Sequence, residues 1–418
     1  MLKKYLLLIF SICLLSVSCT LNFGLSGKVA LQMPSGKIIR TASSNYAPED
    51  LPAEYTITVM FNGAPFQTLK TTAGKKIVLE DLEPGMYSIS IKGQSKYYKL
   101  EADKKIQVKA GATSTINLPL DIELIPQEMT WQEAKNFLKS NPTKPIAFKI
   151  IGECTNANLS NFAENYLDEN YRTGKAYVEL DLSECTGLTS IDRGVFWNCI
   201  TLRKVVLPST VKTINDHAFT NCSSLESINL KNVETLNGEC LFESCPKLKK
   251  VNLSKISAIP VRAFNGCNIL SEVTFSPSLT EIGEEAFQNC YNLTEAILPD
   301  SVESIGVRSF CTCNNLTKVK LPSNLNFTVL PQMAFQSTGI EEILIPESII
   351  EFHSDAISNC ANMKAVFFED VATWNYPPTY GQLPVTFGPN GEENYKTMRS
   401  NGFATYTKDS KEMPVPTM

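Results

Sequence analysis

The segment HAFTNC, residues 217–222, places one of the chain's two histidines five residues before a cysteine. Imidazole and thiolate both bind zinc, and together they form the base and the nucleophile of cysteine enzymes. Either function needs further groups, namely additional metal ligands or a third residue that orients the base. The second histidine, His353, has no cysteine or acidic partner at the spacing of a metal site. The sequence around His217 and Cys222 therefore predicts no metal ligand.

Local catalytic motifs are absent from the sequence. It contains no HExxH zinc motif, CxxC pair, P-loop, GxSxG nucleophile elbow or EF-hand loop. A formal net charge of −5 also argues against a basic surface for nucleic acid. We therefore predict a protein that is not an enzyme, has no catalytic residues or cofactor, and does not bind nucleic acid.

A repeat accounts for Cys222. Six cysteines are spaced 23, 23, 22, 23 and 23 residues apart, with a phenylalanine three residues before each and a leucine three residues after. The cysteines are Cys199, Cys222, Cys245, Cys267, Cys290 and Cys313, and Cys360 lies two periods further on. Their regular spacing predicts buried thiols that pack in a core, whereas Cys154, Cys185, Cys240 and Cys311 lie off this pattern and are the candidates for disulfides.

The position of His217, two residues before each phenylalanine, is variable. Other repeats place Arg262, Glu285, Arg308, Met333 or Asp355 there. We interpret this position as a solvated turn with no fixed chemistry.

Each repeat predicts one coil of a solenoid. A short strand follows each repeat leucine, with apolar residues three and five positions further on, and this LxxLxL pattern at a period of 20 to 29 residues is typical of leucine-rich repeats. One strand per coil gives a parallel sheet, and the AFxxC segment returns along the other side. Stacking the coils buries one continuous core.

The consensus LxxIxLPxSVxxIGxxAFxxC resembles the BspA-like class of leucine-rich repeat in bacterial surface proteins. Residues 207–225, 276–293 and 298–316 match it well, and the resemblance covers about residues 178–370. Two coils depart from it, because one lacks the cysteine and another has Ile357 in place of phenylalanine. The resemblance implies adhesion to host extracellular-matrix or plasma proteins, or to other cells.

The N-terminus predicts export. Lys3 and Lys4 precede an apolar run that is too short to span a membrane, so residues 1–19 read as a signal peptide. The run ends in LLSVSC, which resembles a lipobox and implies a lipid on Cys19. A plain signal peptide is the alternative. We expect a lipid-anchored protein at the cell surface or outer membrane that contacts the membrane only through its anchor.

The remaining segments complete an α+β, multi-domain chain. Alternating apolar residues and turns over residues 20–125 predict a tether and an immunoglobulin-like β-sandwich. Residues 126–176 predict helices, including a capping box at Thr130 and Glu133, and form the N-terminal cap of the solenoid. Leucine-rich repeats occupy residues 177–376, and a C-terminal cap or tail occupies residues 377–418.

The outward side chains of the repeat strands are the candidate binding residues. Positions two and four after each repeat leucine point away from the core, and they include Ala365. We select Lys204, Asn229, Lys250, Asn252, Glu295, Ile297, Lys320, Leu344 and Phe367. Leu344 and Phe367 stand in adjacent coils and either anchor a partner or lie under the C-terminal cap.

These observations predict a surface-displayed lipoprotein that binds a host extracellular or cell-surface protein through its repeat face. The alternative is a glycan-binding or envelope-scaffold protein that uses the sandwich, where Tyr97 and Tyr98 are the visible aromatic pair.

Overall fold

The computed structural model of the protein has two compact units. It describes residues 19–20, 27–32, 54–61, 63–72, 76–82, 85–94, 98–108, 115–116, 121–141, 145–167, 177–370, 372–375, 385–387, 390–400 and 405–408. The predicted signal segment before Cys19, and Tyr97, lie outside these residues. The first unit comprises Met1–Met129, Asn136–Lys149 and Gly174–Glu179, and the second comprises Thr130–Lys135, Ile150–Thr173 and Leu180–Met418.

A five-stranded antiparallel sheet lies in the first unit. Its strands are, in spatial order, Ala64–Thr72, Glu54–Phe61, Gly85–Gln94, Tyr98–Val108 and Asp121–Leu124. Two further antiparallel pairs join Gly27–Gln32 to Lys76–Leu82 and Cys19–Thr20 to Thr115–Ile116. Ile57, Val59, Tyr87 and Ile89 are buried while their chain neighbours are partly exposed, as the period-two pattern predicts. Strands at these positions are therefore confirmed.

Three short strands follow in the chain, at Gln127–Met129, Ile146–Ile150 and Val178–Asp181. Helix Trp131–Ser140 begins at the predicted capping box: the Thr130 amide donates to Glu133 Oε2 over 2.8 Å, and the Glu133 amide donates to Thr130 Oγ1 over 3.4 Å. The Thr130 amide, and the Thr130 hydroxyl, which also donates to Glu133 Oε2, lower the pKa of the Glu133 carboxyl. The capping box predicted from the sequence is present.

Helix Asn156–Tyr166 precedes the first coil of the second unit. It buries Leu159, Phe162 and Ala163, which lie on one face of the helix because they stand at positions i, i+3 and i+4. A disulfide joins Cys154 to Cys185, two of the four cysteines that lie off the repeat. Strand Gly152–Glu153 runs parallel to Cys185–Thr186, so the segment before the helix pairs directly with the first coil.

The solenoid is built from two series of parallel strands. The first series, after the repeat leucines, is Leu202–Val206, Ser227–Ile228, Lys250–Leu253, Glu272–Phe275, Glu295–Ile297, Lys318–Lys320, Glu342–Ile345 and Ala365–Phe368. The second series is Ser190–Ile191, Thr213–Ile214, Thr235–Leu236, Ala258–Ile259, Glu281–Ile282, Ser304–Ile305, Val329–Leu330 and Glu351–His353. Equivalent residues of successive coils face each other in register, for example Lys204 with Ser227. We call the outward side of the first series the strand face.

A stack of phenylalanine rings fills the centre of the solenoid. It consists of Phe196, Phe219, Phe242, Phe264, Phe287, Phe310 and Phe335. Neighbouring ring centroids lie 5.0 to 5.4 Å apart, and neighbouring planes are within 17° of parallel. Successive rings are 22 or 23 residues apart in the chain, or 25 between Phe310 and Phe335, and each ring packs against its neighbour in the next coil.

The repeat cysteines form a ladder of thiols beside these rings. Each thiol from Cys222 to Cys313, and that of Cys360, donates to the carbonyl of a phenylalanine in the preceding coil, over 3.0 to 3.3 Å. The coil without a cysteine has Thr338 at this position, and its hydroxyl donates to the Phe335 carbonyl over 2.9 Å. The position thus requires a small side chain that can donate a hydrogen bond.

The AFxxC segment adds a third ladder through backbone atoms. The amides of His217, Phe219 and Asn221 donate to carbonyls of the next coil over 2.8 to 3.0 Å. His217 and its equivalents Cys240, Arg262, Glu285, Arg308 and Met333 all adopt a left-handed backbone, with φ between 53° and 56°. The residue type at this position varies while its backbone conformation does not. We call the outward side of this segment the turn face.

Glycine at Gly283 and Gly306 lets successive coils approach closely. A Cβ atom at Gly283 would lie 2.6 Å from the backbone nitrogen of Val261, and one at Gly306 would collide with the backbone of Glu284. The amides of these glycines donate to Ile259 and Ile282 over 2.7 Å. The IG pair of the consensus therefore marks a contact between backbones.

C-terminal residues cover parts of the last coils. Strands Ala372–Asn375, Val385–Phe387 and Thr405–Lys408 join the second series, where Thr405–Lys408 runs antiparallel to Glu351–His353. Helix Gly391–Ser400 lies on strand Ala365–Phe368, and Asn394 Nδ2 donates to the Val366 carbonyl over 2.8 Å. No helix in the described part of the chain is long and apolar enough to cross a bilayer.

Candidate binding surface

The strand face presents most of the predicted binding residues to solvent. Parallel pairing places Lys250 beside Glu272, Glu295 beside Lys318, and Ile297 beside Lys320. Lys204, Asn229, Lys250, Glu295, Ile297, Lys320 and Leu344 are exposed, while Asn252 and Phe367 are half-buried. The outward direction predicted for these side chains is thus correct along most of the face.

Ion pairs between neighbouring coils neutralise much of the charge on this face. Lys250 pairs with Glu272, Lys318 Nζ lies 3.3 Å from Glu295 Oε2, and Lys320 Nζ lies 3.3 Å from Asp300 Oδ1. Lys320 and two hydrogen bonds from Ser323 lower the pKa of the Asp300 carboxyl, with the Ser323 amide contributing most. Exposed pairs of this kind add little stability, but they leave the face with alternating rather than uniform charge.

Two predicted binding residues instead satisfy the backbone of the solenoid. The Asn229 side chain accepts from the Leu207 amide and donates to the Leu207 carbonyl over 3.0 Å. Asn252 Oδ1 accepts from the Ser254 amide over 3.1 Å. A partner would have to displace these contacts to use either amide.

The C-terminal helix covers the last strand of the face. Ala365 is only 2% exposed, in contrast to the outward position predicted for it. A Cβ atom at Gly391 would lie 2.8 Å from the Phe367 ring and 2.9 Å from Ala365 Cβ, so the start of the helix sits directly on both side chains. Of the two alternatives for these side chains, Phe367 takes the covered one, under the C-terminal helix, while Leu344 is 49% exposed.

An exposed apolar row remains on three consecutive coils. It consists of Ile297, which is 38% exposed, the stem of Lys320, and Leu344. All three occupy the position four residues after the repeat leucine or its equivalent, so the repeat aligns them. We call these three residues the apolar row.

A shallow polar groove runs along the turn face. Its volume is 520 Å³. It is lined by Asn198, Ile200, Asn221, Ser223, Ser244, Pro246, Asn265, Gly266, Asn268, Asn289 and Tyr291, none of which is charged. Asn198, Asn221 and Asn289 have a left-handed backbone that asparagine tolerates well, so their type serves the turn as well as the groove. This groove, the amide groove, was not predicted from the sequence. The asparagine that recurs immediately before the repeat cysteine could have indicated it.

The buried thiols are unsuited to nucleophilic chemistry. Burial is the main cause that raises the pKa of Cys222, Cys267 and Cys290 well above that of an exposed thiol. Off the ladder, burial raises the pKa of Cys240 to about 12. A reactive cysteine needs the opposite shift, toward the thiolate. His217 and Cys222 thus do not form the nucleophile and base of a cysteine enzyme.

A family profile described as "BspA type Leucine rich repeat region" matches the chain in six copies, over residues 176–269 and 238–364. The repeat region belongs to the BspA type of leucine-rich repeat. Its phenylalanine stack, thiol ladder and IG contacts are thus features of a BspA-type β-solenoid of about ten turns with parallel sheets and little helix. None of the curated proteins compared with the chain matches it.

Several solved structures are similar to parts of the chain. A leucine-rich repeat protein from Bacteroides ovatus is 20% identical over 53% of this chain, with a TM-score of 0.35, and the match spans 59% of that protein's length. A leucine rich cell surface protein from Faecalibacterium prausnitzii is 17% identical over 66% of this chain and 88% of its own, with a TM-score of 0.27. The pneumococcal vaccine antigen PcpA is 13% identical over 67% of this chain and 82% of its own, with a TM-score of 0.28.

Proposed function

We propose that this protein is a non-enzymatic, surface-displayed lipoprotein that binds extracellular macromolecules through its BspA-type repeats. Its partner would be a host matrix or plasma protein or a protein on another cell. In this proposal the signal peptide is cleaved immediately before Cys19, and a lipid on Cys19, then the first residue, anchors the chain. The proposal rests on the apolar row, because exposed aliphatic side chains flanked by charges are typical of the centre of a protein interface.

The domain order suits display. Residues 20–125 would form a tether and an immunoglobulin-like sandwich that hold the repeats away from the lipid anchor. The repeats of residues 177–376 would be capped by residues 126–176 and 377–418. The described strands support the sandwich assignment by their antiparallel pairing and alternating burial.

Binding by the apolar row can be tested with a double substitution. We expect the Ile297→Asp/Leu344→Asp variant to lose at least about tenfold in affinity for its partner, because a desolvated carboxylate replaces each anchor. The measurement is surface plasmon resonance of the full exported chain against immobilised matrix and plasma proteins.

A matched control separates the row from general surface changes. Val329 is 37% exposed and lies in the second series of strands, so Val329→Asp introduces the same chemistry away from the row. The control should bind like the unchanged protein. Equal binding by the double variant and the unchanged protein would exclude the strand face as the site.

The amide groove favours a second function, glycan binding. Its uncharged amides and hydroxyls repeat at the coil spacing of about 4.8 Å, which suits the hydroxyl groups of an extended neutral oligosaccharide. Tyr291, which is 40% exposed, offers a ring for a sugar to stack on. Neutral oligosaccharides therefore belong in the same panel, and binding that is lost in Tyr291→Ala but kept in the double variant would assign the function to the groove.

A further inference from the structure

We propose that Asp216, His217 and Glu239 form a binding site for a divalent transition-metal ion such as Zn²⁺. One ligand atom from each residue, two carboxylate oxygens and an imidazole nitrogen, lies within 4.8 Å of the other two. Asp216 and His217 belong to one coil and Glu239 to the next, so the stacking of coils brings them together.

The hydrogen bonds around His217 fix its tautomer. Thr220 Oγ1 donates its single proton to the Cys240 carbonyl. The same oxygen lies 3.3 Å from His217 Nδ1, and it can only accept there. In the neutral ring the proton is therefore on Nδ1, and Nε2 carries the lone pair. Histidines that bind metals show this arrangement, because their second nitrogen donates to a fixed neighbour.

The free nitrogen faces negative charge. His217 Nε2 lies 3.9 Å from Asp216 Oδ1, and the Glu239 carboxylate completes the group. The neutral ring turns its lone pair toward two carboxylates, an arrangement that a cation on Nε2, either a proton or a metal ion, stabilises. A divalent cation shared by the three ligand atoms converts this repulsion into coordination, and imidazole with carboxylates is a donor set that Zn²⁺ accepts.

The surrounding structure holds the ligands in place. Gly238, with φ of 92°, lets the two coils meet, because a Cβ atom there would lie 2.6 Å from Asp216 Cβ. The Glu239 amide donates to Asp216 Oδ1 over 2.9 Å, and Arg193 Nε pairs with Asp216 Oδ2 over 3.1 Å. The Trp197 ring stacks on the imidazole at 6.1 Å between centroids.

The site has room for exchange. Arg193 is 76% exposed and can move away from Asp216 when a metal arrives. Glu239 is exposed, so its carboxylate can close onto the ion. Three protein ligands leave at least one coordination position for water or for a donor from a bound partner.

Zinc titration of the full exported chain tests the site. We expect one equivalent of Zn²⁺ to bind by isothermal titration calorimetry, and His217→Asn to weaken this binding at least about tenfold. Asparagine is chosen because it keeps the left-handed backbone. The chain contains only two histidines, so His353→Asn is the matched control and should bind Zn²⁺ like the unchanged protein.

Nitrogen-15 NMR of the two imidazoles gives a second measurement that does not depend on stability. At a pH where the imidazoles are neutral, metal-free His217 should show the tautomer protonated at Nδ1, and Zn²⁺ should shift the Nε2 signal. The proposal fails if Zn²⁺ leaves the His217 signals unchanged, or if His217→Asn binds Zn²⁺ as tightly as the unchanged protein.

Discussion

The buried thiols show how a reactive residue type can serve packing. The ladder thiols after Cys199 donate to carbonyls in the preceding coil and are buried, and burial disfavours the charged thiolate. Burial accordingly raises the pKa of Cys222, Cys267, Cys290 and Cys313. The folded protein therefore keeps these thiols protonated.

Alkaline pH should destabilise the protein through these thiols. An exposed cysteine titrates near pH 9.0, so above that pH the unfolded chain has lost protons that the folded protein keeps. The stabilisation is complete below this pH and decreases as the pH rises toward the folded value. Each thiol should lower the free energy of unfolding by up to about 1.4 kcal/mol per pH unit. Urea unfolding between pH 8 and pH 10 measures the slope.

Substitutions in the same column isolate the effect. Cys290→Ala should reduce the slope of unfolding free energy against pH by the share of one thiol. Thr338→Ala removes a donor from the equivalent position without removing a titrating group, and it should leave the slope unchanged. Equal slopes in Cys290→Ala and the unchanged protein would show that the thiols do not cause the pH dependence.

Among the larger elements, the disulfide ties the segment before helix Asn156–Tyr166 to the first coil. Cys154 and Cys185 are separated by 31 residues, and the bond closes this loop in the unfolded chain. The loop length corresponds to roughly 4 kcal/mol of stabilisation in the chain-entropy model. The double substitution Cys154→Ala/Cys185→Ala should lose stability on this scale.

Chemical unfolding with and without a reducing agent measures this contribution. Reduction should shift the unfolding midpoint of the unchanged protein to lower urea and leave the double variant unaffected. Cys240→Ala/Cys311→Ala is the control, because these buried thiols are unpaired cysteines and should leave the response to reduction intact. If the reducing agent does not change the unfolding midpoint of the unchanged protein, the Cys154–Cys185 disulfide does not stabilise the fold.

Sequence periodicity predicted the elements well because their causes are local or strictly repeated. The capping box at Thr130, the buried face of helix Asn156–Tyr166 and the phenylalanine column all follow from spacing. Contacts between distant segments were not predictable in this way. Phe367 is covered by a helix that begins at Gly391. The hydrogen bond that Asn229 accepts depends on the backbone amide of Leu207, one coil away. Nothing in the spacing of either residue encodes these partners.

The same limit applies to His217. The variety of side chains at its position predicted a solvated turn with no fixed chemistry, because such variety reflects solvent access. The proximity of Glu239, and the hydrogen bond from the Thr220 hydroxyl to the Cys240 carbonyl, arise only when two coils stack. Residue type was informative for the core and uninformative for the turn face.

For the molecule as a whole, the C-terminal helix protects the end of the stack. A solenoid needs such covers, because its last coil has no neighbour to satisfy its backbone. Asn394 is 5% exposed and donates to the Val366 carbonyl of the last strand in the first series. This contact closes the polar edge that the repeat itself leaves open.

Removal of this donor should destabilise the whole repeat region. We expect Asn394→Leu to cost about 1 to 3 kcal/mol of unfolding free energy, because the buried Val366 carbonyl loses its donor. Lys396→Ala, an exposed change in the same helix, is the control and should have little effect. Thermal and urea unfolding with size-exclusion chromatography would detect both lost stability and pairing through the uncovered edge. A fully stable monomer would show that the edge needs no cover.

The left-handed turn residues have a consequence for how such a protein can evolve. From His217 to Met333 each coil keeps φ between 53° and 56° and its backbone hydrogen bonds to the next coil, and among the side chains at this position only that of Cys240 is buried. A mutation there changes the outer chemistry of one coil while its neighbours and the aromatic stack stay as they are. Substitutions at this position can therefore add a charge, a thiol or a metal ligand to a single coil, or remove one, while the fold is retained.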